Sequence, residues 1–97
     1  METYVILRRR AWTTADELKA AAERSTHVGD EEMSDDIRWI RSYVLTEENG
    51  GLGTVCVYQA TSPEAIREHA RRVGMPADEV IPVADTVLVR PDPVAAG

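Results

Sequence analysis

The stretch Ile37-Arg38-Trp39-Ile40-Arg41-Ser42-Tyr43-Val44-Leu45-Thr46-Glu47-Glu48-Asn49-Gly50-Gly51-Leu52-Gly53-Thr54-Val55-Cys56-Val57-Tyr58 decides how the rest of the chain is read. Two runs of strand-forming residues flank Asn49-Gly50-Gly51, which accept the positive φ of a tight turn. The pattern predicts one strand from Ile37 to about Leu45 and a second from about Gly53 to Ala60. The only cysteine and two of the three tyrosines fall in this hairpin, together with one of the two tryptophans.

Working outward, Thr3 to Arg8 is short, rich in strand formers and reads as a first strand. Thr14-Ala15-Asp16-Glu17 has the form of a capping box, and Leu18, Ala21, Ala22 and Ser25 follow at helical spacing. That predicts a helix over about 15–24, whose small residues let it lie close on a sheet. His27 to Asp36 reads as a loop or a frayed extension, because five acids crowd it. Ser62-Pro63 opens a second helix with its buried stripe at Ile66, Ala70 and Val73, and Gly74 and Pro76 end it. A fourth strand is expected from about Val80 to Val89, lying at a sheet edge or starting late because Pro82 lacks an amide donor.

The element order β-α-β-β-α-β has a compact solution in the α+β class, the ferredoxin-like sandwich. In it a four-stranded antiparallel sheet carries both helices on one face. The chain of 97 residues suits one domain over 1–90, with a flexible tail at 91–97 marked by Pro91 and Pro93. Strict alternation sorts the strands into two sets. Val5, Leu7, Ile40, Ser42, Val44, Val55 and Val57 suit the helix-covered face. The opposite set, with Tyr4, Trp39, Arg41, Tyr43, Cys56 and Tyr58 besides Ile6, Arg8 and Thr54, is expected on the open face, as an interface or a pocket wall. Two copies packed through such faces form a homodimer, a dimeric α+β barrel.

A formal net charge of −6 argues against nucleic-acid and anionic-membrane partners, which need clustered positive surface. The runs Arg8-Arg9-Arg10 and Arg71-Arg72 are short and read as solvated surface. One cysteine forms no internal disulfide, and no signal peptide or membrane-length apolar run is visible, so a cytoplasmic location is expected.

Trp39-Ile40-Arg41-Ser42-Tyr43-Val44, Cys56-Val57-Tyr58-Gln59-Ala60, Ser62-Pro63-Glu64-Ala65-Ile66-Arg67-Glu68-His69-Ala70 and Gly74-Met75-Pro76-Ala77-Asp78-Glu79-Val80 together resemble a family of small bacterial domains of unassigned function. Its members are commonly described as nickel-binding proteins. The resemblance covers roughly Ile37 to Val83 and implies a ferredoxin-like fold, a homodimer and surface sites for nickel. Members often carry a histidine before the Ser-Tyr pair, where this chain has Arg41. A guanidinium has no lone pair to offer a metal.

The residues themselves offer two groups of metal donors. His69 borders the buried stripe of the second helix but has no second ligand one turn away. His27 with Asp30 and Glu31 combines imidazole and carboxylate, which suits nickel, zinc or manganese. Either set also reads without metal, as a hydrogen-bonded helix flank and a solvated loop. Cys56 in mid-strand reads as structural. Three functions stay open: a binding protein for nickel or a similar divalent metal; a small-molecule enzyme with its pocket on the open sheet face, with His69 or Tyr43 moving protons; and a dimerisation module.

Overall fold

The computed structural model describes residues 1–93. Its elements are β1 (Glu2–Trp12), α1 (Ala15–His27), β2 (Ile37–Thr46), β3 (Leu52–Ala60), α2 (Pro63–Val73) and β4 (Glu79–Pro82). A single π-helical turn, Val28–Glu32, continues α1 where a loop or a frayed end was expected. Every strand pairing is antiparallel, and the sheet order is β2-β3-β1-β4. The architecture is α+β, with an open four-stranded sheet and two helices.

Local chemistry fixes the helix ends. Thr14 accepts the amide of Glu17 at 3.2 Å, and the Glu17 carboxylate accepts the amide of Thr13 at 2.8 Å. Ser62 accepts the amide of Ala65 at 3.1 Å, ahead of Pro63 in the first turn of α2. Gly74 ends α2 in the left-handed conformation, φ 81°, and its amide returns to the carbonyl of Ala70. Glu68 takes hydrogen bonds from both Arg71 and Arg72, which hold its carboxyl down at about 2. Ile66 is fully buried under α2, which contributes about 2 kcal/mol by removal of its side chain from water.

The two sheet faces are the reverse of the strict alternation reading. Tyr4, Ile6, Arg8, Thr54, Cys56 and Tyr58 are buried beneath the helices. Val5, Leu7, Val55 and Val57 lie half-buried on the other side. The reason is bulk: the rings of Tyr4 and Tyr58 fill the space below the helices, with the Tyr58 hydroxyl on Ser25 of α1 and the Tyr4 hydroxyl on Glu2 of its own strand. In β2 the alternation itself breaks. Trp39 pairs with Tyr58, but Arg41 pairs with Val57, so Ile40 is an extra residue, a bulge. Trp39 therefore shares the helix-side face with Ser42 and Val44, while Arg41 and Tyr43 turn to the open face.

The fourth strand is shorter than expected and ends at Pro82, on the edge beside β1. After it the chain crosses the open face as a strap. Val83 donates to the carbonyl of Thr3 at 2.9 Å, and Asp92 binds both Arg41 and the Tyr43 hydroxyl on the far strand. Asp92 belongs to the expected tail 91–97, of which 94–97 lie outside the described residues. No helix is long and apolar enough to cross a membrane among the described residues.

β1 continues past Arg8 through an irregularity at which Arg10 takes φ 51°. Glu47, at the end of the hairpin, is buried against it and accepts from Arg9 at 2.8 and 3.0 Å. These hydrogen bonds hold the Glu47 carboxyl below its usual range. Gly53 makes this approach possible, since a Cβ there would lie 2.5 Å from the Arg8 carbonyl oxygen and 2.6 Å from Glu47 Oε1. Gly53→Ala is expected to destabilise the fold by about 1–3 kcal/mol, read as a lower urea midpoint, because backbone must shift. An unchanged midpoint would show that the strands yield there at no cost.

Candidate functional site

Small side chains on one face of α1 decide where the site is. Ala21 and Ala22 face the sheet with Leu18 and Ser25, and they are too short to reach β2. The helix does not lie close on the sheet at this edge. A cavity of about 520 Å³ remains between α1 and β2. Its walls are apolar, with Trp12, Leu18, Trp39, Val44 and Met75 prominent. The Ile40 bulge brings Trp39 and Ser42 together on its floor, where the Trp39 indole donates to Ser42 Oγ at 2.8 Å. From there Ser42 reaches Cys56 Sγ at 3.0 Å, and Cys56 reaches Thr54 Oγ1 at 3.3 Å.

Tyr58 forms the inner end. Its hydroxyl is 3.1 Å from Ser25 Oγ, and its ring stacks on Trp39 with centroids 6.1 Å apart and planes at 8°. The His69 ring meets it edge-on at 5.5 Å, and the Arg8 guanidinium carbon lies 5.7 Å from its centroid. Burial pushes the Tyr58 phenol up, against the opposing pull of Arg8. Arg8 is 0 % exposed, and none of its three guanidinium nitrogens has a hydrogen-bond partner among the described residues. Arg9 and Arg10 are exposed, so the surface reading of the Arg8-Arg9-Arg10 run fails at Arg8 alone. Strand alternation does put Arg8 on one face with Ile6 and Tyr4, two and four residues before it, but that face lies under the helices and not on the open side expected for it.

His69 is buried, and its Nε2 lies 3.1 Å from the Ser25 carbonyl oxygen. Gly29 in the π turn closes over it, with a would-be Cβ 3.6 Å from Nε2. Nδ1 is buried without a partner among the described residues. His27 sits at the exposed end of α1, with Asp30 and Glu31 exposed on the turn that follows. Among the described residues no three His, Cys, Asp or Glu side chains gather as a metal site. His69 and Asp30 line one small pocket beside the π turn, but no third donor joins them among the described residues, so this pocket does not by itself complete a nickel site. Of the other residues singled out in the sequence, Trp39, Cys56 and Tyr58 line the helix-side cavity, and Arg41 reaches its rim. Tyr4 is buried elsewhere, with its hydroxyl 3.4 Å from Glu2. Arg41 and Tyr43 border a second space of about 560 Å³, under the strap on the open face.

Burial, and secondarily the charge of Arg8, hold the His69 pKa below its ordinary 6.5, opposed by the hydrogen bond to Ser25. The imidazole is thus neutral in the fold where the unfolded chain already binds a proton. Stability must fall as the pH drops below 6.5, until the folded-state value is reached. Thermal unfolding followed from about pH 7.5 to about pH 5 should show this loss, and His69→Gln should flatten that part of the profile. An identical slope in the variant would assign the loss to other groups.

Comparison with known proteins gives two matches. A family described as "Nickel responsive protein SCO4226-like" matches residues 4–83. The crystal structure of SCO4226 from Streptomyces coelicolor A3(2) superposes with a TM-score of 0.67 at 21% identity, covering 88% of this chain and 99% of that one. At that identity the likeness is one of fold. No curated protein matches the chain. The profile spans every element from β1 to the end of β4, and the chain belongs to the SCO4226-like family of nickel responsive proteins.

Proposed function

We propose that the protein is a small homodimeric binding protein of ferredoxin-like architecture that responds to nickel or a similar divalent cation. The family match over residues 4–83 is the observation that carries the nickel part. One chain does not bring three donors together among the described residues. In this reading the metal is met at the exposed surface on the helix side, by one or two of His27, Asp30 and Glu31, away from the face that pairs two copies. Exposed imidazole and carboxylate suit nickel, and sites of this kind are weak when they are not pre-organised.

The dimer part rests on the open sheet face. Val5, Leu7, Val55 and Val57 are only half-buried there, and Tyr43 and Ile81 are exposed. The strap crosses this face yet leaves its own Val87, Leu88 and Val89 between 76% and 86% exposed. A contiguous apolar surface of this kind marks an interaction site. A second copy matches it in chemistry, aliphatic on aliphatic, with Arg41 and Asp92 at the margin.

Native mass spectrometry in the presence of nickel reads both parts. The expected species is twice the chain mass with nickel retained, and His27→Ala should weaken retention several-fold while His69→Gln leaves it unchanged. A monomer at working concentration overturns the dimer. Absence of retained nickel, with no heat at millimolar nickel in calorimetry, overturns the metal.

A further inference from the structure

The cavity between α1 and β2 holds a charge without a counter-charge. A guanidinium keeps its charge and has five N–H donors to satisfy. Arg8 is wholly shielded from water, with its three nitrogens unpartnered among the described residues. No Asp or Glu is among the residues that line the cavity it borders. Leaving a buried cation unpaired is among the costlier defects a fold can carry. Yet the surroundings are organised for an anion. Tyr58 and Ser25 bring hydroxyls to its inner end, and Thr54 and Ser42 add two more to its lining. Outside this end the walls are apolar, and two indole rings, Trp12 and Trp39, flank the space. The volume, about 520 Å³, is that of a small-molecule pocket. Its mouth lies between α1 and the edge strand, where Trp39 and Val44 are exposed.

We propose that this cavity is a binding site for a small organic carboxylate with an apolar or aromatic body, its carboxylate paired with Arg8. The carboxylate matches the planar fork of the guanidinium, and the hydroxyls of Tyr58 and Ser25 lie beside it. The body of the ligand lies against Trp12, Trp39 and Leu18. The site is separate from the exposed donors considered for nickel, and it depends neither on metal nor on the dimer.

The chain carries two tryptophans, and both line this cavity, so intrinsic fluorescence reports its occupancy. The intact protein is titrated with phenylacetate and octanoate, and in parallel with 2-phenylethanol, 1-octanol and inorganic phosphate. A saturable change is expected for the two acids, at least about ten-fold tighter than for the matched alcohols. Arg8→Met should abolish that preference while keeping or raising the thermal midpoint, because it removes an unpaired buried charge. Should the variant not fold, the acid-to-alcohol comparison on the natural chain decides alone. No saturable change with either acid at millimolar concentration overturns the proposal, as does equal binding of acid and alcohol. The full change with phosphate alone overturns the organic class.

Discussion

The packing of Tyr58 is the constraint on which the rest depends. It sits on β3, a central strand, and is buried with its hydroxyl against Ser25 of α1 and its ring against His69 of α2. One side chain thus sets where both helices rest on the sheet. Trp39, the direct cross-strand partner of Tyr58, stacks on the same ring, and the bulge at Ile40 then puts Ser42 rather than Arg41 on that face. Arg8 is held over the ring as well. A large ring under a helix of small residues fills the middle of the layer but not its margin. The cavity beside α1 follows from that mismatch in size.

Much of the architecture was legible in the sequence. The hairpin announced itself through Asn49-Gly50-Gly51, and both helix starts through Thr14 and Ser62, because turn and cap chemistry is local. The choice of buried face was not legible by counting aliphatic residues. Val5, Leu7, Val55 and Val57 look more like a core than Tyr4, Arg8 and Tyr58 do, yet the second set is inside. What decided it was bulk: the rings of Tyr4 and Tyr58 fill the layer beneath the helices, and only Tyr58 takes a helix partner, Ser25, while Arg8 is enclosed with none among the described residues. The bulge was equally hidden, since nothing in Trp39-Ile40-Arg41 is a glycine or a proline. The end of β4 was missed for a related reason: Val83 to Val89 alternates plausibly, but the chain leaves the sheet to cross its face.

The candidate site was legible in its members more than in its grouping. Trp39, Cys56 and Tyr58 stood out together in the sequence and meet at one cavity. Tyr43 is turned to the open face past a single inserted residue, while Arg41 turns the same way yet still reaches the cavity rim. Arg8 and Ser25, the residues that give the cavity its charge and polarity, carry no motif. Their importance comes from burial, which only the assembled layers create.

The bulge at Ile40 has a consequence for how this chain can meet others. β2 is ten residues long and lies at the edge of the sheet, with backbone amides and carbonyls on its outer side unpaired by any strand. A straight edge of that length is a template for runaway strand addition. At Ile40 the hydrogen-bond ladder loses its spacing, so a straight incoming strand would stay in step on one side of the kink and fall out of step on the other. At the opposite edge β4 offers four residues ending in a proline. Both borders of the sheet are thereby blunted against endless extension, and closed contacts between faces become the easier route to any assembly.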